Sequence, residues 1–255
     1  MNTELSIKCK RKIRAVTFDA YGTLFNIEGL HSRATELILQ HNSFAADAAS
    51  FHRLWDEHTD ELIKTDKFDK LWNVFDRALD MTFRDFGFQG KRKLGDLEIW
   101  LRLIENCSIY PDAPLVVEAA ARHFKTALIS NTDNHELSIA LARYNLNFNA
   151  VVTSENARAY KPSPEIFQRA ADILECRPEE ILHVGDAYNA DVVGAKNFGA
   201  AAVWLNRKKA NIPNPRVQPD FQIENLKEML EVLRYFLDED KNCQGKEGLW
   251  EEIAK

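Results

Sequence analysis

The sequence lacks any long hydrophobic run, and no apolar stretch reaches the roughly 20 residues that a membrane span requires. Its N-terminus has no hydrophobic signal-peptide core, and its four cysteines are scattered without a Cys-x-x-Cys pair. Acidic residues outnumber basic ones by 39 to 33, and the net charge of −6 disfavours nucleic-acid or anionic-membrane partners. These absences predict a cytoplasmic protein with reduced thiols that binds neither nucleic acid nor membranes.

Short apolar runs alternate with amphipathic stretches along most of the chain. The runs are brief and bounded by turn residues, at 13–18, 126–130, 150–153, 181–185 and 200–205. Such nearly continuous apolar strands are typical of a parallel sheet that is buried on both faces. The amphipathic stretches lie between them, at 113–124, 135–144, 164–175 and 190–198. This order predicts an α/β fold with a doubly wound parallel sheet.

One long segment breaks this alternation. Between residue 26 and about residue 110 no convincing strand pattern occurs, and apolar and aromatic residues recur at helical spacing. We interpret the segment as an inserted helical bundle, which divides the chain into a core domain of residues 1–26 and 110–255 and a cap domain of residues 27–109. The aromatic residues are assigned to the interior of that bundle. A short helix is also predicted around residues 249–253.

Polar side chains follow the predicted strands at their carboxyl ends, where ligands bind to open parallel sheets. In chain order these residues are Asp19 and Thr23, then Ser130 and Asn131, then Lys161, and finally Asp186 and Asp191. Carboxylates that share one buried point repel each other unless a cation compensates, and Lys161 together with a divalent metal would do so. With no His or Cys at the strand ends, the donor set predicts a hard metal such as Mg2+.

Four motifs occur in order along the chain: FDAYGTLF, LISNTD, AYKPSPEIF and VGDAYNADVVGAKNFG. This series resembles the haloacid dehalogenase superfamily of aspartate-nucleophile hydrolases over nearly the whole chain to about residue 206. The resemblance implies a Rossmann-like core with a helical cap inserted after the first motif. It also implies a small-molecule substrate, and we expect a monomer or a homodimer.

The resemblance further implies roles for the motif residues. Asp19 would attack the substrate and become transiently esterified. Thr23 and Ser130 would hold oxygens of the transferring group, while Lys161 would neutralise charge and orient Asp19. The motif positions Ala20, Tyr21 and Asn131 complete the expected substrate-binding set.

A metal site is implied by the same resemblance. Asp19, Asp186 and the backbone carbonyl of Tyr21 would coordinate Mg2+, with Asp191 ligating it directly or supporting the ligands. Because the contribution of position 21 is a backbone carbonyl, replacing its side chain need not disturb the metal.

Two branches of the superfamily remain open, because the motifs disagree. Phosphatases usually carry a second aspartate two positions after the nucleophile, where this chain has Tyr21. In this respect DAYGTLF is closer to the L-2-haloacid dehalogenases, which displace halide without a metal. That branch, however, typically has serine where this chain has Asp186, and its cap typically has an arginine after a Leu-Trp pair. Here Asp56 and Glu57 follow, and we expect them to repel a substrate carboxylate.

Electrostatics favours the phosphatase branch. Without a metal, Asp186 would add negative charge near Asp19, raise its pKa and weaken the nucleophile. We therefore predict a Mg2+-dependent hydrolase of phosphate monoesters that forms an aspartyl-phosphate. Turnover is expected to be slow because Tyr21 replaces the acid–base aspartate. The alternatives are a metal-independent L-2-haloacid dehalogenase and a catalytically weak binding protein.

Overall fold

The computed structural model describes residues 11–242 except residues 66, 89 and 91, with backbone only at 65 and 238–242. The short helix predicted around residues 249–253 lies outside the described residues. The strands are β1 Ala15–Phe18, β2 Phe25–Asn26, β3 Ser108–Ile109, β4 Lys125–Ser130, β5 Ala150–Thr153, β6 Ile181–Gly185, β7 Ala201–Leu205 and β8 Phe221–Ile223. The helices are α1 Leu30–His41, α2 Ala48–Thr65, α3 Leu71–Asp85, α4 Asp96–Glu105, α5 Ala113–Ala121, α6 Asn134–Tyr144, α7 Ser154–Ala157, α8 Pro164–Leu174, α9 Gly194–Phe198 and α10 Met229–Asn242.

The centre of the molecule is a six-stranded sheet in the order β5-β4-β1-β6-β7-β8. Each neighbouring pair of these strands is parallel, and the chain reverses its direction of winding between β1 and β6. Two buried apolar clusters lie on opposite faces of the sheet and pack it against the flanking helices. The predicted α/β doubly wound sheet is confirmed. None of the helices within the described residues is long and apolar enough to cross a bilayer.

Helices α1 to α4, termed the cap helices below, form a third cluster of buried apolar side chains. The chain enters and leaves this part of the molecule through β2 and β3, which pair antiparallel with Phe25 opposite Ile109. Two-residue strands carry too few alternating positions to be recognised as a sequence pattern. The division into a core domain and a cap domain at residues 27–109 stays a prediction.

The first turn of α3 is held by a residue from the sheet side of the molecule. The carboxylate of Asp133, in the loop after β4, accepts the backbone amides of Leu71 at 3.0 Å and Trp72 at 2.9 Å. Next to it, the Tyr160 hydroxyl donates to the carbonyl of Asp69 at 2.9 Å. A carboxylate at this position satisfies amides that a helix leaves without partners and interacts favourably with the helix dipole. These contacts fix α3 over the carboxyl edge of the sheet.

Candidate active site

The carboxyl ends of the parallel strands open into a cavity of about 320 Å³ beneath the cap helices. Six of the predicted site residues line it, namely Asp19, Tyr21, Ser130, Asn131, Lys161 and Asp186. The other three, Ala20, Thr23 and Asp191, are buried behind its wall. The sheet therefore brings residues that are up to 172 positions apart in sequence, from Asp19 to Asp191, into one site.

Lys161 joins two of the carboxylates. Its Nζ lies 2.6 Å from Oδ1 of Asp19 and 2.6 Å from Oδ1 of Asp191, and all three side chains are more than nine-tenths buried. Burial alone would lower the pKa of Lys161, but the two carboxylates hold it above its ordinary value. Burial raises the pKa of Asp19 against the effect of Lys161. The lysine is thus a permanent cation that binds one oxygen of the expected nucleophile.

Asn131 holds the backbone on which this lysine is carried. Its side-chain Nδ2 donates to the Lys161 carbonyl at 3.0 Å, and its Oδ1 accepts the Lys161 amide at 2.7 Å. Both polar ends of the amide are therefore engaged with the protein. The side chain of Asn131 therefore positions Lys161, whereas its place in the motif led us to expect contact with the substrate.

Asp186 brings a third carboxylate to the site. One oxygen from each of Asp19, Asp186 and Asp191 lies within 4.8 Å of the others. Burial, and then the charges of Asp19 and Asp191, raise the pKa of Asp186 to about 7. With one lysine facing three carboxylates, the cluster is short of positive charge.

The donor set fits a hard divalent cation. All three side chains offer oxygen, the donor type that Mg2+ prefers. Gly22 is adjacent and has φ +92°, and a Cβ built on it would lie 2.5 Å from Oδ2 of Asp186. Only glycine leaves the Asp186 carboxylate in its present place at this turn.

Thr23 is hydrogen-bonded to Asp186. Its hydroxyl donates to Oδ1 of Asp186 at 3.1 Å and accepts the backbone amide of Asp186, also at 3.1 Å. Thr23 is fully buried, so its hydroxyl orients Asp186 in the structure and does not face the cavity.

Two residues that the sequence analysis did not single out extend the network into the sheet. Thr17 on β1 and His183 on β6 lie opposite each other in the strand register. The Thr17 hydroxyl lies 2.8 Å from Nδ1 of His183, and Nε2 of His183 lies 3.2 Å from Oδ1 of Asp191. Both side chains are completely buried, where a polar group is costly unless it is hydrogen-bonded. Polar residues in two adjacent apolar strands are the signal that points to such a network.

A wide helical turn completes the surroundings of Asp191. A regular helix was expected over residues 190–198, but a π-helical turn spans Tyr188–Val193 before α9 begins. Within it, Oδ2 of Asp191 accepts the amide of Ala187 at 2.9 Å. Turns of this kind often occur where a functional side chain must be redirected. Here the turn directs Asp191 back toward Lys161.

The cap side of the cavity differs in chemistry from the sheet side. Its lining residues are Ile27, His31, Leu71, Phe75, Trp100 and Ile104. Phe75 and Trp100 pack edge to face at 5.0 Å in the cap interior, so these aromatic residues serve both the helix packing and the cavity wall. Among the described lining residues, Lys161 is the sole lysine or arginine.

Asp56 and Glu57 do not reach this cavity. They line a separate outer cleft of α2 together with His52 and Arg53, and the Asp56 side chain is 64% exposed. The expectation that they repel a substrate carboxylate is therefore wrong. Helical phase explains the difference, because Trp55 is buried in the cap interior and its neighbours point outward.

The known proteins that this chain resembles include both haloacid dehalogenases and phosphatases. A family model described as haloacid dehalogenase-like hydrolase matches residues 13–199. (S)-2-haloacid dehalogenase 1 of a Pseudomonas species is 32% identical over 206 residues, which cover 76% of this chain and 85% of that protein. Pyrophosphatase PpaX of Bacillus anthracis is 27% identical over 232 residues, covering 87% of this chain and 97% of that protein. A crystal structure of a dehalogenase superposes with a TM-score of 0.73 at 26% identity, covering 86% of this chain and 96% of that one.

Proposed function

The chain belongs to the haloacid dehalogenase-like hydrolase family, and from this premise we propose that it is a Mg2+-dependent phosphate monoesterase working through an aspartyl-phosphate. Relatives include both dehalogenases and phosphatases, so the choice between them rests on the site itself. The observation that carries the proposal is the cluster of three carboxylates facing one lysine. A divalent cation balances this charge, whereas displacement of halide from carbon has no use for it.

In this proposal Asp19 is the nucleophile. Lys161 binds its Oδ1, which leaves Oδ2 for attack on phosphorus. The new bond from Asp19 to phosphorus forms as the bond to the leaving alcohol breaks, and the alcohol takes its proton from solvent. Water then attacks the aspartyl-phosphate, which releases phosphate and restores the carboxylate. Ser130, at the end of β4, is the side-chain donor for the phosphoryl oxygens.

Mg2+ would be held by Asp19, Asp186 and the Tyr21 carbonyl, with Asp191 beside them, and would supply electrostatic stabilisation of the phosphoryl oxygens. Thr23 keeps the Asp186 carboxylate in orientation through its hydroxyl. His183 and Lys161 both hold Asp191, which keeps that carboxylate ionised and fixed.

Turnover by this site is slow in the proposal, because no acid–base group replaces the aspartate that phosphatases carry at position 21. Burial raises the pKa of the Tyr21 phenol above its ordinary value near 10, so it keeps its proton at neutral pH. Esters whose leaving groups need little protonation are therefore favoured.

A metal-independent 2-haloacid dehalogenase is the second candidate. It is favoured by Tyr21 within the DAYGTLF motif and by the 32% identity to a haloacid dehalogenase. Against it stands the cavity lining, because no described arginine reaches the cavity to bind a carboxylate.

One assay separates the two candidates. The purified protein is incubated with 4-nitrophenyl phosphate or with 2-chloropropionate, each with Mg2+ and with EDTA, and phosphate or chloride release is measured. We expect phosphate release that requires Mg2+, and an Asp19→Asn variant that releases neither product. Chloride release in EDTA, without phosphate release in Mg2+, would overturn the proposal in favour of the dehalogenase.

A further inference from the structure

The cap half of the cavity is apolar except at one residue. Among the described side chains that α1, α3 and α4 contribute to the wall, His31 alone is polar, and it faces the same cavity as Asp19. Its apolar neighbours there are Leu71, Phe75, Trp100 and Ile104. A polar group in such a setting is costly unless it finds a hydrogen-bond partner.

The hydrogen-bonding role of His31 is fixed by Trp100. The indole Nε1 lies 3.2 Å from Nδ1 of His31, and an indole nitrogen can only donate. Nδ1 must therefore be the unprotonated acceptor, which leaves the hydrogen of the neutral ring on Nε2. No partner for Nε2 occurs among the described residues, so this donor is available to a ligand.

The surroundings keep the ring neutral. The imidazole of His52 stacks on His31 at 5.7 Å between centroids with 14° between the planes. Burial, and then the proximity of His52, lower the pKa of His31 to about 4. At neutral pH His31 is thus an uncharged donor of defined tautomer, unsuited to pairing with a second anionic group.

Charge and size limit the substrate further. Lys161 is the one lysine or arginine among the described lining residues, and two carboxylates already occupy it. A second phosphate would find no cation on the cap side, and the hydroxyls of a sugar would face apolar side chains without partners. The volume of about 320 Å³ admits a phosphoryl group together with a small organic body.

We propose that the cavity selects small phosphate monoesters with an apolar or aromatic alcohol part, and that His31 is the specificity-determining residue that donates from Nε2 to an acceptor on it. This inference rests on the proposed phosphatase function and names its substrate class. Trp100 is the positioning residue that sets the tautomer of His31.

The first experiment compares substrates. Phenyl phosphate, ribose 5-phosphate and pyrophosphate are assayed with Mg2+, and kcat/KM is measured for each. We expect kcat/KM for phenyl phosphate to exceed the other two values by about tenfold or more, because only its ring fills the apolar wall. Equal or higher values for ribose 5-phosphate or pyrophosphate overturn the substrate class but leave the phosphatase function standing. Hydrolysis of none of the three overturns the phosphatase function itself.

The second experiment locates the hydrogen bond by binding alone. Phenylphosphonate and its 2-, 3- and 4-pyridyl analogues place one acceptor nitrogen at each ring position with almost no change of shape. Their dissociation constants are measured by calorimetry for the parent protein, His31→Leu and His31→Gln. His31→Leu should raise the dissociation constants of the ligands. For at least one pyridyl isomer, we expect this rise to exceed the rise for phenylphosphonate by about 3- to 10-fold. His31→Gln keeps an amide donor and should restore most of the difference.

A matched control tests whether the effect belongs to the cavity. His58 is another histidine of the cap helices, on α2, but it bonds Asp85 at 2.9 Å and does not line the cavity, so His58→Leu should leave all four constants unchanged. Thermal unfolding of each variant verifies that it folds. A uniform loss for all four ligands in His31→Leu, with no recovery in His31→Gln, would show that His31 only packs the wall and would overturn its role as a donor.

Discussion

Replacing Tyr21 by aspartate tests the proposed chemistry most directly. The Tyr21 side chain lines the same cavity as Asp19, and its ring packs on Phe25 at 5.6 Å between centroids. A carboxylate at position 21 supplies the group that protonates a leaving alcohol and then activates water. Such acid–base assistance is worth about 10²- to 10⁴-fold in rate. We expect Tyr21→Asp to raise Mg2+-dependent phosphatase turnover.

The structure also shows what the substitution removes. Losing the Tyr21 ring takes away its contact with Phe25 and opens space, which should reduce the free energy of unfolding by about 2–4 kcal/mol. Tyr21→Asn suffers the same loss without gaining an acid–base group, so it is the matched comparator. The ratio of turnover in Tyr21→Asp to that in Tyr21→Asn therefore isolates proton transfer from repacking.

The assay is a stopped-flow measurement with 4-nitrophenyl phosphate. In the parent protein, a burst of nitrophenol followed by a slow steady rate is expected, because the aspartyl-phosphate accumulates. In Tyr21→Asp the steady rate should rise most, since water activation limits it. Equal rates in the two variants, with no burst in the parent, would refute the reasoning and require another residue to transfer the proton.

Three further changes probe the rest of the site. Asp186→Asn should lower Mg2+-dependent phosphate release by about a hundredfold or more while the melting temperature holds, as a phosphate assay and a thermal melt will show. Gly22→Ala should weaken Mg2+ binding in calorimetry, because its Cβ would lie 2.5 Å from Oδ2 of Asp186; Gly87→Ala, with a similar positive φ and open space, is the control. Lowering the pH from 7 to 4.5 should reduce the free energy of unfolding by about 2–3 kcal/mol through His31 alone. The pKa of His31 is about 4 in the folded protein and near 6.5 in the unfolded chain, so the unfolded chain is protonated first as the pH falls. Urea unfolding at both pH values should show this loss in the parent and a smaller one in His31→Gln.

The core of the fold was predictable because its strands are nearly continuous apolar runs. The predicted strands at 150–153 and 181–185 match β5 and β6 residue for residue. The edge strand β8 was missed, because its three residues Phe-Gln-Ile include a polar centre and carry little pattern. Strand direction alone was enough to bring the motif carboxylates together at one edge.

The contacts within the site were less predictable. His183 lies in the middle of a buried strand and was interpreted only as part of that strand, although its pairing with Thr17 depends on register between β1 and β6. The outward direction of Asp56 depends on the rotation of α2 within the cap, which a short sequence match does not define. Local pattern thus specified the elements, while tertiary packing decided which polar atoms meet.

The hydrogen bonds from α3 to Asp133 have a consequence for the position of the cap helices over the cavity. This carboxylate is the only N-terminal side-chain cap that the described residues give to α3, yet it belongs to the loop after β4 and not to the cap helices. Any displacement of α3 away from this carboxylate would leave its first amides without an acceptor, and the loss of such a cap costs about 0.5–2 kcal/mol. The backbone of α3 itself therefore favours the position in which the helix lies over the carboxyl edge of the sheet.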